Sequence, residues 1–305
     1  MKLAFFDDFR LGVVRGEEII DASEVVASVP HLGPHDLING LIERFEEYRD
    51  GLEGVARDGA GVPLAGVRIR PPLPRPVTIV CIAVNYMESG TRPEPAPINA
   101  FQKAPSAIIG DGDTMELPDV PASVFEGEAE LAVVIGRRAR QVSAAEAMDY
   151  VFGYTNFIDG SARGLTPGFY QMKSRDTFAP IGPYVVTKDE IADPQRLQVR
   201  LWNNGVLRQD FNTDDMAHDI ARCIEFVTSH HALEPGDILA TGTNHRGLHP
   251  FQDGDAIELE VEGLGRLHVT VRDPLQREWP RVTRLELQER GGPATPVQRA
   301  GKYAP

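Results

Sequence analysis

The chain has 305 residues, 42% hydrophobic and 25% charged, which is the composition of a globular protein with room for one large domain or a small one preceding it. A formal net charge of −14 argues against nucleic-acid binding, because no basic stripe is present to neutralise phosphates, and no apolar run approaches membrane-spanning length. An acidic surface also gives an anionic substrate no long-range attraction, so such a substrate would need a local metal or lysine.

Residues 1–72 read as a small leading α+β domain. Two short strands joined by a turn are expected over 3–6 and 11–14, and the β pattern continues over 17–21. Leu37, Ile38, Leu41, Ile42, Phe45 and Tyr48 form one helical stripe across 36–52. The Pro-rich run 70–76 marks a boundary, since proline blocks helix interiors and central strands alike.

A larger domain is expected over 73–275. Its first strand is the apolar run 78–84, which ends at Asn85 and Tyr86. Residues 87–99 have no period and read as a surface loop, a candidate lid. The stretch 125–136 is acidic at its start, then turns aliphatic over 131–135 and closes at Gly136. Side chains alternate along a strand, so Glu128, Glu130, Ala132 and Val134 share one face, and Ala129, Leu131, Val133 and Ile135 the other. Two carboxylates side by side at the mouth of a buried strand repel each other, and a divalent cation is a suitable partner for their oxygens. The competing reading is a solvated acidic strand end.

Ser143 and Glu146 form a capping box that predicts a helix to Tyr150. Residues 153–159 read as a strand ending in Asp159, followed by a turn over 160–164. Asn204-Gly205 predicts a hairpin within 197–209. Thr213 is expected to cap a helix to His230, with Met216, Ile220, Cys223, Ile224 and Val227 on one face. A strand over 238–240 leads into Thr241-Gly242-Thr243, and 255–271 gives two more strands around Gly263-Leu264-Gly265. Residues 276–305 read as a polar extension, with a last short element over 281–287 and a tail from Gly291. Many strands and few helices predict a β-rich α+β fold. Cys81 and Cys223 lie in apolar runs and read as buried structural thiols. Acids near the start, where a signal peptide would carry its apolar core, predict a cytoplasmic protein.

The segments 128–136, 153–163, 173–183, 204–209, 212–216, 235–243 and 263–265 resemble, in order, those of the fumarylacetoacetate hydrolase family. The resemblance covers roughly 77–273. It implies mixed β-sheets rolled into a barrel-like core, and a homodimer. It also implies a magnesium ion, with manganese or calcium as substitutes, held by Glu128, Glu130 and Asp159. Lys173 matches the family's active-site lysine, which would pair with a substrate carboxylate or a developing enolate. Thr213, Thr241, Gly242 and Thr243 match positions that line the substrate end. Family members act on 2-oxo or 2,4-dioxo acids, which chelate the metal so that it stabilises an enolate. The leading expectation is a hydrolase cleaving a C–C bond in an acylpyruvate-like 2,4-dioxo acid or an aromatic ring-cleavage product. An isomerase or tautomerase, a hydratase or a decarboxylase would use the same metal, and a non-catalytic binding protein is the third reading.

The chain departs from the family at the lid. Hydrolytic members carry a histidine and a nearby glutamate just after Asn-Tyr, used to activate water. Here Ser89 stands at the histidine's place and Arg92 near the glutamate's. Glu88 and His245 are the candidate replacements. Gly127 stands where an aromatic residue is common, and Gly164 where an Asp is common. Arg163 and Asp176 are expected to form a structural ion pair beneath the site.

Overall fold

Alternation of side chains along long strands sets the architecture, which the computed structural model describes for residues 1–165 and 168–304. The strands in chain order are β1 (Lys2–Phe6), β2 (Arg10–Arg15), β3 (Glu18–Asp21), β4 (Val62–Pro63), β5 (Ile69–Arg70), β6 (Ile79–Ala83), β7 (Asn99–Lys103), β8 (Ile108–Ile109) and β9 (Thr114–Glu116). They continue with β10 (Val124–Ile135), β11 (Val151–Arg163), β12 (Ala179–Thr187), β13 (Gln198–Asn203), β14 (Val206–Asn212), β15 (Ile238–Ala240), β16 (Ala256–Val261) and β17 (Arg266–Arg272). The α-helices are α1 (Pro34–Glu43), α2 (Phe45–Asp58), α3 (Phe169–Lys173), α4 (Ile220–His230) and α5 (Arg284–Glu289).

One large sheet runs β4-β3-β2-β1-β12-β11-β10-β15-β6-β7, with β5 on β1 and β8 on β12, and a second runs β14-β13-β16-β17-β9. Most neighbours are antiparallel, but β15 and β6 are parallel, so the large sheet is mixed. Neither order closes on itself among the described residues: the core is two packed open sheets, not a closed barrel. The odd residues of β10, Ala129 to Ile135, pack toward the second sheet with Val199, Leu259 and Leu267. Ala132 and Val134 face the opposite core, which α1 and α2 cover with Leu37, Leu41 and Leu52. Both faces of β10 are therefore buried, which is why its aliphatic run is continuous.

The boundary expected near residue 72 falls between β5 and β6, yet β1 pairs with β12 at Lys2↔Val186 and Leu3↔Val185, so the leading strands share the large sheet. The stripe over 36–52 becomes two helices broken at Arg44, whose φ of −115° is not helical. The capping box expected at Ser143 is not made: Ser143 Oγ donates to the Glu146 side chain at 2.7 Å, Glu146 N donates to Ser143 O, and only a 3-10 turn over Ala147–Tyr150 follows. Thr213 does not cap the long helix. It begins a 3-10 turn, and Asp219 caps α4 by accepting from the Arg222 N–H. Both long strands extend further than expected: β10 starts at Val124 and β11 ends at Arg163, so Glu128, Glu130 and Asp159 lie inside the sheet rather than at its mouth. The expected tail packs back as well: Arg299 N donates to Glu278 O, and Lys302 and Tyr303 both reach Asp119. Cys81 and Cys223 are free and buried. No helix among the described residues is long and apolar enough to cross a membrane.

One buried base makes the fold acid-sensitive. Asn203 Nδ2 donates to His249 Nε2 at 2.9 Å and to Asp255 Oδ2 at 2.8 Å. Burial, and then the charge of Arg208, push the His249 imidazole down to about 4. The unfolded chain protonates this residue near pH 6.5, the folded one near pH 4, so the unfolded state binds more protons in between. Stability is thus full above the unfolded value and falls as pH drops through this window, by about 3 kcal/mol in total. His249→Gln is expected to flatten that segment of the urea midpoint against pH. A slope equal to the parent's would contradict the assignment.

Candidate metal centre

The centre is assembled by strand register. Glu126, Glu128 and Glu130 alternate onto one face of β10, and antiparallel pairing sets Glu128 opposite Asp159 on β11. Directly opposed residues of paired strands present their side chains on the same face. Carboxylate oxygens of Glu128, Glu130 and Asp159 consequently lie within 4.8 Å of one another, and all three residues are buried.

Buried charge on this scale is stable only when it is paired. Lys173, at the end of α3, places its Nζ 2.5 Å from Asp159 Oδ2 and 2.8 Å from Glu128 Oε1. Lys103, on β7, donates to Asp159 Oδ1 at 2.5 Å and to Gly160 O at 3.1 Å. Arg163 spans Glu126 at 2.9 Å and Glu128. It makes no pair with Asp176, which instead accepts from Ser106. The expected Arg163–Asp176 pair is therefore replaced by a link from Arg163 to a metal-ligand candidate. Lys103 and Glu126 were absent from the sequence-derived set. Lys103 follows Phe101-Gln102 on β7, which the sheet order separates from β11 by β10, β15 and β6, so no local sequence signal joins it to Asp159.

The charges are unevenly balanced. Burial opposes ionisation of Glu128, but the Lys173 and Arg163 charges, with a smaller contribution from His245, hold its carboxyl well below the usual range. Burial, then the negative charges of Asp159 and Glu128, push Glu130 well above it. The neutral partner of Glu130 is the Gly242 N–H, which donates to its Oε2 at 2.7 Å. Lys173 is kept protonated against its own burial by Asp159 and Glu128. The lysines thus satisfy two carboxylates and leave the third under-compensated. Three hard oxygen donors, one of them without a cationic partner, fit a divalent cation such as magnesium, manganese or calcium.

The Thr241-Gly242-Thr243 turn is bound to β10 from behind. Thr241 Oγ1 donates to Leu131 O at 2.8 Å, and Gln209 bridges Ala129 N and Thr243 Oγ1. The two threonine hydroxyls are thereby engaged, and Thr213 likewise gives its hydroxyl to Pro194 O and accepts from Leu197 N. Gly127 is explained by Phe251, whose ring would lie 2.4 Å from a Cβ at that position.

Glu88 and His245, 157 positions apart, are brought together. His245 Nδ1 lies 2.6 Å from Glu88 Oε1, and the His245 N–H donates to Glu88 Oε2 at 2.9 Å. Glu88 and Ser89 take left-handed φ values of 57° and 55°. That conformation persists where surroundings enforce it. Here Ser89 N donates to Asp215 Oδ2, and Asn244 Nδ2 donates to both Ser89 Oγ and Asp215 Oδ2. The lid tip is therefore fastened rather than loose. Arg92 lies beside the pair, 3.8 Å from Glu88 Oε1.

Three buried carboxylates with oxygens within 4.8 Å of one another form a donor set suited to a divalent ion. Residues 78–272 match the model of the fumarylacetoacetate (FAA) hydrolase C-terminal domain, and the chain belongs to the fumarylacetoacetate hydrolase family. It is 32% identical over 288 residues to a maleylpyruvate hydrolase of Aquipseudomonas alcaligenes, covering 89% of this chain and 99% of the relative. The crystal structure of maleylpyruvate hydrolase from Sphingobium sp. SYK-6 in complex with manganese(II) and pyruvate matches with a TM-score of 0.81 at 36% identity, over 90% of this chain and 99% of that one. Oxaloacetate tautomerase YisK of Bacillus subtilis is 37% identical over 219 residues, 67% of this chain and 73% of the relative. The 4-hydroxyphenylacetate degradation bifunctional isomerase/decarboxylase of Escherichia coli is 39% identical over 206 residues, and the match covers only 47% of that relative.

Gly242 carries a testable constraint. Its φ is +88°, and a Cβ there would meet Asn85 Cβ at 3.0 Å and Ile82 O at 3.1 Å. Gly242→Ala is expected to cost about 1–3 kcal/mol through backbone strain and to shift the N–H that holds Glu130. Thermal denaturation without metal reads the first effect; an unchanged midpoint would contradict it.

Proposed function

We propose that this chain is a magnesium- or manganese-dependent hydrolase that cleaves a C–C bond in a maleylpyruvate-like 2,4-dioxo acid. The observation that carries the reading is the buried triad Glu128, Glu130 and Asp159 with a His–Glu pair beside it. The near full-length similarity to two maleylpyruvate hydrolases supports the substrate class. A divalent ion on the triad supplies Lewis acidity for the enolate chemistry of a 2-oxo acid.

The chain's own residues supply the rest. Glu88 fixes the Nδ1 side of His245, which leaves Nε2 as the proton acceptor toward water. The water oxygen bonds to the C4 carbonyl carbon, and its proton passes to His245. The C3–C4 bond then breaks, its electron pair remains on the pyruvate fragment as an enolate, and C3 takes up a proton. The other fragment leaves as a carboxylic acid carrying the water oxygen. Lys173 leaves the carboxylates to pair with the substrate carboxylate or the enolate. Lys103 and Gly242 hold Asp159 and Glu130 in place, and Thr213, Thr241 and Thr243 shape the substrate end through the backbone they fix.

Ser89 at the lid position favours a second reading, an isomerase, tautomerase or decarboxylase that needs no activated water. Similarity to the tautomerase and to the isomerase/decarboxylase supports it. The reading extends to a homodimer, on the family resemblance, and to the cytoplasm, on the two free buried thiols. Sedimentation at the mass of one chain would contradict the dimer, and fractionation with the periplasm the location.

Purified protein incubated with acylpyruvates in H₂¹⁸O, with manganese or with chelator, tests the assignment. Manganese-dependent pyruvate with ¹⁸O in the partner acid is the expected result, lost in Asp159→Ala. His245→Asn is expected to lower kcat by about 10²- to 10⁴-fold. Enol loss or carbon dioxide release without a labelled acid would favour the second reading. Full activity of Asp159→Ala would overturn both.

A further inference from the structure

Residues beyond the matched domain reach the metal centre. Arg284, the first residue of α5, makes a two-pronged pair with Glu126: Nε to Oε1 at 2.9 Å and Nη2 to Oε2 at 2.5 Å. Glu126 is 1% exposed. Its Oε2 also accepts from Arg163 Nε at 2.9 Å, and the other arm of Arg163 reaches Glu128 Oε1. An unbroken line of charge-assisted bonds thus runs Arg284–Glu126–Arg163–Glu128.

The anchor of this line is itself fixed. Thr283 and Glu286 close a capping box around the start of α5. Arg284 N donates to Leu248 O at 2.8 Å, so the same residue also fastens the loop that follows His245. Upstream, Trp279 Nε1 donates to Ser123 O at 2.7 Å, next to the start of β10. The segment is built onto the site from two sides.

We infer that Arg284 is a positioning residue for the metal ligand Glu128, and that the C-terminal segment completes the catalytic centre from outside the family domain. Arg163 has one guanidinium and two carboxylates to serve. With Arg284 in place, Glu126 is doubly paired and Arg163 is free to hold Glu128. Without Arg284, the buried Glu126 charge is left to Arg163 alone, which is drawn off Glu128. A ligating carboxylate then loses a partner that orients it, a loss that costs metal sites about 10- to 100-fold in affinity. The inference rests on the reading of Glu128, Glu130 and Asp159 as the metal site.

The test is Mn²⁺ binding by electron paramagnetic resonance, without substrate, on the full chain and its variants. Arg284→Met is expected to weaken Mn²⁺ binding by about 10- to 100-fold. In Glu126→Gln/Arg284→Met the neutral amide no longer competes for Arg163, and affinity is expected to return to near the parent's. Parent-like binding by Arg284→Met would overturn the inference, and so would a double variant no tighter than the single one. Should Arg284→Met not fold, Arg284→Lys, which keeps the charge and loses the fork, carries the same comparison. Failure of the parent chain itself to bind Mn²⁺ would overturn the metal-site reading and this inference together. Binding by the parent with no change in the variants would overturn this inference alone.

Discussion

Four acidic side chains, Glu126, Glu128, Glu130 and Asp159, sit where two strands cross the interior, and the structure depends on the cations brought to them. Left unpaired, each would be neutralised or would destabilise the sheet by several kcal/mol. Lys103, Lys173, Arg163 and Arg284 come from β7, α3, β11 and α5. Segments as far apart in sequence as residues 103 and 284 therefore converge on one pair of strands for electrostatic reasons. The same convergence builds the floor of a site, because the cations leave Glu130 under-compensated and so leave a demand that a divalent ion can meet.

The surrounding fold serves rigidity. Both faces of β10 are covered by apolar cores, so Glu128 and Glu130 project from a strand that has little freedom to bend. The Thr241-Gly242-Thr243 turn contributes backbone rather than side chains: its hydroxyls bind it to β10 and its central N–H meets Glu130. The lid is held through Asp215 and Asn244, which explains how Glu88 keeps a left-handed backbone beside His245. A fixed imidazole–carboxylate pair is the arrangement that the proposed general-base chemistry requires.

Much of this was legible in the sequence for a simple reason: the period of a strand is two. Alternation alone put Glu128 and Glu130 on one face, and the Asn204-Gly205 hairpin and the strands around Gly263 followed from local turn chemistry. Asp159 came from the family motif. Its true position, opposite Glu128 in mid-strand, needed the register of β10 on β11. Lys103 and Arg284 were missed because each acts only through long-range closure, and nothing in their neighbours marks a lysine or arginine as buried; Glu126 was missed because the expected strand began after it, whereas β10 begins at Val124. Glu88 and His245 were each visible as candidates, but their union lies across 157 positions. The capping signals at Ser143 and Thr213 failed because both hydroxyls are engaged elsewhere, Ser143 with the Glu146 carboxylate and Thr213 with Pro194 O and Leu197 N, so the first element is only a 3-10 turn and the long helix is capped by Asp219.

The central claim is that Glu128, Glu130 and Asp159 form an ion site, with Lys173 set between Glu128 and Asp159. Crystals of the protein soaked with manganese and measured at the manganese absorption edge test it most directly. The account predicts one strong anomalous peak bounded by Glu128, Glu130 and Asp159, with Lys173 Nζ moved off its 2.5 Å contact with Asp159. A peak elsewhere, or none at the triad with Lys173 still between the carboxylates at saturating manganese, would contradict it.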